Sequence, residues 1–280
     1  ISAPRPTRRA SLSSHPHAPF APATSLFGSE PTSLRSKLVD AQPGRSLVCT
    51  AGGWALFDFG FYGNIMLLPR VLAILLPKKT ENPTDGTAAF VTDAYVAICV
   101  AAVGVGFTLM CVPLIPRMGL KNVQILGFVM NAILSFILGC SWKSLHTAST
   151  GDGPNSTSAL VGLLVLYTLL LGSYWVCNVT TYSIPTAVFE AEVRSTLHGL
   201  SAAAGKLGAI GGTLTFAHVL KKAPDQDMGL VAIMHSCGVL AVLGVAVTWY
   251  GTPELGPPLE AFSRRLSRLT RKTYIRSSLV

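Results

Sequence analysis

Six apolar stretches of about 20 residues follow one another along this chain, at residues 46–68, 91–113, 123–141, 158–182, 195–217 and 229–250. As helices, runs of that length cover the roughly 30 Å hydrocarbon thickness of a bilayer, and they far exceed what a core strand or a soluble core helix needs. A helix also satisfies its own backbone groups where no water can do so, so the runs predict an all-α membrane protein with six transmembrane helices. Composition agrees. Only 12% of the 280 residues are charged, against about 25% in soluble domains. The net charge of +9 would suggest nucleic acid for a soluble protein, but here the basic residues gather at the two ends and in certain loops. That distribution describes topology, and no nucleic-acid partner is expected.

Residues 1–44 are rich in Pro, Ser, Ala and Arg without apolar periodicity, and are expected to be a disordered cytoplasmic segment. Residues 45–253 form the six-helix membrane domain, and 254–280 a cytoplasmic basic tail. In that tail Leu259, Phe262, Leu266 and Leu269 alternate with Arg264, Arg265, Arg268 and Arg271, a pattern suited to the membrane surface. Between the first two runs, Val71 to Leu76 is too short to cross and is expected to form an interfacial turn. Placing both termini in the cytoplasm puts most of the 22 Lys and Arg residues on that side. The Asn155-Ser156-Thr157 glycosylation pattern then lies outside. The six cysteines have no Cys-x-x-Cys pairing, so no disulfide framework, metal or cofactor is expected. A start at Ile1 suggests a fragment of a longer protein.

An ionisable side chain at the bilayer centre costs at least ~2.5 kcal/mol on insertion scales, which makes such residues functional candidates. Asp58 and Lys206 lie in the first and fifth runs, both roughly 16–18 Å deep from the same side at 1.5 Å per residue, so they can pair. The bland alternative is an ion pair that only glues two helices. Against it stands the company of Asp58: Trp54, Asp58 and Tyr62 recur every four residues and line one helix face. In the fourth run, Tyr174 and Asn178 lie about 16 Å and about 10 Å from Pro185. Tyr174 has the better depth for a central site, and Asn178 is expected to bond a neighbouring helix. Ala204, Gly208 and Gly212 form a small-residue ridge suited to close helix packing. A serine protease pairing Ser201 with His235 is disfavoured, because the two fall in opposite leaflets.

Four stretches together resemble the C-terminal half of the phosphate:proton symporters of the major facilitator superfamily. Trp54 to Tyr62 is similar to that family's W-x-x-x-D-x-x-F-Y, and Gly119 to Phe128 to its G-R-x-x-x-Q-x-x-G-F. The most specific stretch runs from Asn178-Val179-Thr180-Thr181 through Pro185 to Arg194-Ser195-Thr196-Leu197-His198-Gly199 and on to Lys206. Pro253-Glu254 to Leu259-Glu260 resembles the segment after the family's last helix. The resemblance implies a six-helix half of a twelve-helix fold built from a 3+3 inverted repeat. It also implies that Trp54, Asp58 and Tyr62 contact inorganic phosphate, with Lys206 near Asp58. The family's substrate-contacting Asn falls on Tyr174. Implied partners are phosphate, protons, the lipid bilayer and an N-terminal six-helix half, in the plasma membrane. No enzymatic activity is implied. Tyr174 and altered residues after Pro185 and near Leu120 leave two alternatives open: a superfamily transporter of another ion or a sugar, or a non-transporting half-bundle.

Overall fold

The computed structural model describes residues 44–75, 85–151 and 155–253. They form six helices: α1 (Gly44–Leu75), α2 (Asp85–Met118), α3 (Leu120–Ser149), α4 (Ser156–Val188), α5 (Ala191–Lys222) and α6 (Gln226–Gly251). Each contains one of the apolar runs and extends past it. The expected interfacial turn at Val71 to Leu76 is corrected as far as Leu75, because α1 continues through Pro69 to that residue. Val71 and Leu72 are buried in the bundle, and that burial offsets the backbone bond a proline removes. The segments 1–43 and 254–280, with the expectations for disorder and a surface helix, lie outside the described residues.

The corners are set locally. Gly119 alone separates α2 from α3, with φ of 82°, a left-handed value that a side chain resists. Phe189 and Glu190 are extended between α4 and α5. Asp225 caps α6 by accepting a 2.6 Å bond from the Met228 N–H.

Among the described residues, four helices are long and apolar enough to cross a membrane: α2 from Ala94, α3, α4 and α6. The other two, α1 and α5, are 32 residues each and carry the buried Asp58 and its partner Lys206. These two make the most extensive helix pair in the fold, followed by α3 with α4 and α3 with α6. Further pairs are α2 with α4, α1 with α6 and α1 with α4. The core shared by these helices is filled by fully buried side chains such as Phe57, Phe128, Trp142, Tyr167, Leu170 and Met234.

The α1–α5 contact rests on glycines, two of them from the ridge expected from spacing. A Cβ on Gly208 would run into the Ala55 carbonyl, and one on Gly212 into that of Phe59. The third member is Gly205, which faces Trp54 and Asp58, whereas Ala204 is only half-buried. The spacing of three then four residues keeps these glycines on one face, because 3.6 residues make a turn.

Candidate functional site

The close approach of α5 to α1 brings Lys206 onto the stripe that begins at Trp54. Asp58 is 2% exposed, and its Oδ2 lies 3.9 Å from Lys206 Nζ. Lys206 donates a 3.2 Å hydrogen bond to the Tyr62 hydroxyl, and its ammonium sits 4.8 Å from the centre of the Tyr62 ring. The lysine side chain is 57% exposed while its carboxylate partner is buried, so the pair opens to one side only. Asp58 Oδ2 has no hydrogen-bond partner. A buried carboxylate oxygen left in that state costs free energy, which a ligand with a donor hydrogen would recover.

Trp54 lies one turn away, 2% exposed, against the same glycine: a Cβ on Gly205 would lie 2.7 Å from the indole Nε1 and 2.9 Å from Asp58 Oδ2. Trp54, Asp58, Tyr62 and Lys206 therefore form one continuous group on α1 and α5.

Among the described residues, neither α4 candidate makes a hydrogen bond or ring contact to the ion pair. Tyr174 is 3% exposed and turns into the core, with its ring 6.2 Å from Phe57 and 6.1 Å from Phe61 and its hydroxyl against Gly60. Gly60 is on the side of α1 away from Asp58, so Tyr174 is not gathered with the ion pair. Asn178 is half-buried, and its carbonyl accepts from Thr181 at 3.1 Å. Among the described residues its side chain makes no bond to a neighbouring helix, contrary to expectation.

The structure adds two residues that spacing did not single out. Tyr182 meets the Trp54 ring edge-on at 4.6 Å, and His198 meets it at 5.6 Å. A signal for the first existed, since Tyr174, Asn178 and Tyr182 repeat the four-residue interval. Each such step turns about 40° around a helix, so a stripe that starts in the core at Tyr174 ends exposed at Tyr182. Ser201 and His235 are far from partners in catalysis. Ser201 shares a 2.8 Å hydrogen bond with Thr50, whereas the His235 imidazole contacts the Val231 carbonyl and Cys140.

Behind the site, a second set of polar groups is sealed in the core. Tyr167 donates to the Asn64 carbonyl at 2.9 Å, Asn64 donates to the Gly60 carbonyl at 2.8 Å, and Ser173 donates to Asn131 at 2.5 Å. At one end of the bundle Asp227 of α6 is held by α3, accepting 2.9 Å bonds from the Trp142 indole and the His146 ring.

Comparison with known proteins fits this geometry. Residues 86–264, more than half of the chain, match the family model described as sugar (and other) transporter. The chain belongs to that family, within the major facilitator superfamily. It is therefore an integral membrane protein. Relatives of this chain include probable inorganic phosphate transporter 1-10 of Oryza sativa subsp. japonica, 31% identical over 79% of this chain and 40% of that protein. Probable inorganic phosphate transporter 1-8 of Arabidopsis thaliana is 32% identical over 78% of this chain and 41% of its own. Inorganic phosphate transporter PT2 of Toxoplasma gondii is 28% identical, over 74% and 32% respectively. The chain thus spans about two fifths or less of these relatives.

Proposed function

We infer that this chain is the C-terminal six-helix half of a proton-coupled inorganic phosphate symporter that works by alternating access in the plasma membrane, with both chain ends cytoplasmic. One observation carries the reading: a buried carboxylate with an unpartnered oxygen stands 3.9 Å from a lysine that opens to one side. Dihydrogen phosphate suits this arrangement, because it presents both P–OH donors and anionic oxygens. A P–OH can donate to Asp58, while the Lys206 ammonium and the Tyr62 hydroxyl donate to the anionic oxygens. The Trp54 indole N–H lies within the same group as a further donor. Sulfate lacks the donor hydrogen near neutral pH and would leave Asp58 unpaired. Tyr174 and Asn178 stay outside this proposal as direct contacts, since the first is sealed in the core and, among the described residues, the side chain of the second makes no hydrogen bond to the group.

The names of the relatives support phosphate as substrate. The helix contacts support a 3+3 inverted repeat. Exchanging α1 with α4, α2 with α5 and α3 with α6 turns the α1–α5 pair into α4–α2 and the α3–α4 pair into α6–α1, and both counterparts occur. Because three helices reverse the chain direction across a membrane, the second triplet is inverted relative to the first. On this reading the opposite wall of the site, and the acids that couple proton movement, belong to an N-terminal six-helix half.

Radiolabelled phosphate uptake by cells expressing the complete transporter tests the proposal. Uptake should resist excess sulfate and excess hexose, and Asp58→Asn should lower it by two orders of magnitude or more. Uptake that sulfate or hexose abolishes would assign the site to another substrate, and wild-type uptake retained by Asp58→Asn would remove Asp58 from it.

A further inference from the structure

Trp54 shares its helix face with the ion pair, yet the groups that cover it come from other helices. Tyr182 of α4 contacts its ring with centroids 4.6 Å apart and planes at 64°. His198 of α5 contacts it at 5.6 Å and 82°. Tyr182 is 49% exposed and His198 half-buried, so the indole, itself 2% exposed, is covered by side chains that reach the surface. Gly205, two turns along α5 from His198 and on the same helix face, also meets the indole, and any side chain there would strike the indole and Asp58 together. The indole is consequently bounded by a glycine, two aromatic edges and a carboxylate. Edge-to-face contacts favour one ring orientation over others, and a ring held on two edges cannot turn without losing both.

We propose that His198 is a positioning residue of the transport site: with Tyr182, it fixes the Trp54 indole so that its N–H stays beside the Asp58 carboxylate. His198 thereby sets substrate affinity without touching substrate. The inference deepens the phosphate reading and, as far as uptake is concerned, rests on it. It assigns a physical role to the histidine of the Arg194-Ser195-Thr196-Leu197-His198-Gly199 stretch, which the ion pair leaves unused. The role depends on the ring, because the contact is made by a ring edge.

Three substitutions separate the ring from its polarity. His198→Ala removes both, His198→Gln keeps a polar group, and His198→Phe keeps the ring. An aromatic edge contact corresponds to about a 2- to 10-fold change in an equilibrium constant. In the complete transporter, KM for phosphate should rise by about that factor in His198→Ala and His198→Gln, at unchanged maximal uptake per surface-expressed protein. His198→Phe should return to the parent KM. If His198→Ala does not accumulate, the comparison of Gln with Phe carries the same test.

A second readout needs no substrate. In protein labelled with 5-fluorotryptophan, the Trp54 fluorine resonance, assigned by its loss in Trp54→Phe, should shift or broaden in His198→Ala and His198→Gln and recover in His198→Phe. Should the parent take up no phosphate, that resonance alone decides the positioning role, and only the phosphate reading falls. A Trp54 resonance unchanged by His198→Ala and His198→Gln, or rescue by Gln and not by Phe, overturns the proposal.

Discussion

Asp58 combines two conditions that rarely coincide in a residue kept only for stability. It is buried at 2% exposure, and one of its carboxylate oxygens has no hydrogen-bond partner. Its lysine stands at 3.9 Å and is mostly exposed, and it donates its hydrogen bond to Tyr62. Such an arrangement recovers little of the desolvation cost of the carboxylate. Replacing Asp58 by Asn should therefore leave the detergent-solubilised protein as stable as the parent, or more stable by roughly 1 kcal/mol, while uptake is lost. Thermal unfolding measured beside uptake checks both parts, and a large fall in Tm would show the pair to be scaffolding. Asp227 presents the opposite case. Both its oxygens are engaged, by Trp142 and His146, and Trp142 is fully buried. Asp227→Ala leaves those donors unpaired, a cost of about 1–3 kcal/mol for each buried group. It should lower Tm and leave the KM of the surviving protein unchanged.

At the level of elements, the α1–α5 pair depends on backbone meeting backbone. Gly208 and Gly212 face carbonyls of Ala55 and Phe59 with no room for a methyl group, whereas Gly199 on the same helix has nothing within 4 Å of a Cβ added there. Gly208→Ala should thus destabilise by about 1–3 kcal/mol through overpacking. Gly199→Ala should be neutral or stabilising by up to about 1 kcal/mol through helix propensity. Thermal scans of the two variants separate packing from propensity, because propensity alone predicts the same sign for both. Helix existence was plain in the runs, but their rotation about their own axes was not. Tyr174 looked suited to a central site by depth, and the structure points it at Gly60 instead. Depth follows from counting residues, whereas direction depends on how neighbouring helices cross.

For the molecule as a whole, the exposed side of the site matters most. Lys206 opens outward while Leu207, Ile210 and Leu214 on the same helix are also exposed, a polar spot beside apolar surface. If that spot faces a water-filled cavity between two halves, then Lys206→Cys, made after replacing the exposed Cys99 and Cys140 by Ser, should react with a membrane-impermeant thiol reagent. Leu207→Cys, likewise exposed at the same depth but about 100° further round the helix, should react far more slowly. Reaction at Lys206→Cys as slow as that would place Lys206 against lipid and remove the cavity.

The sequence by itself determined the apolar runs, and with them the helical class, since the length needed to cross a bilayer is fixed by its thickness. It also determined the Trp54, Asp58 and Tyr62 stripe, because helical geometry puts residues four apart on one face. Only the tertiary structure decided which face met which neighbour. It turned Tyr174 into the core, brought Tyr182 and His198 onto Trp54, and put Gly205 in the packing ridge where spacing had suggested Ala204. The physical reason is that a helix's rotation is fixed by long-range contacts between backbones, and those contacts have no local periodicity to read.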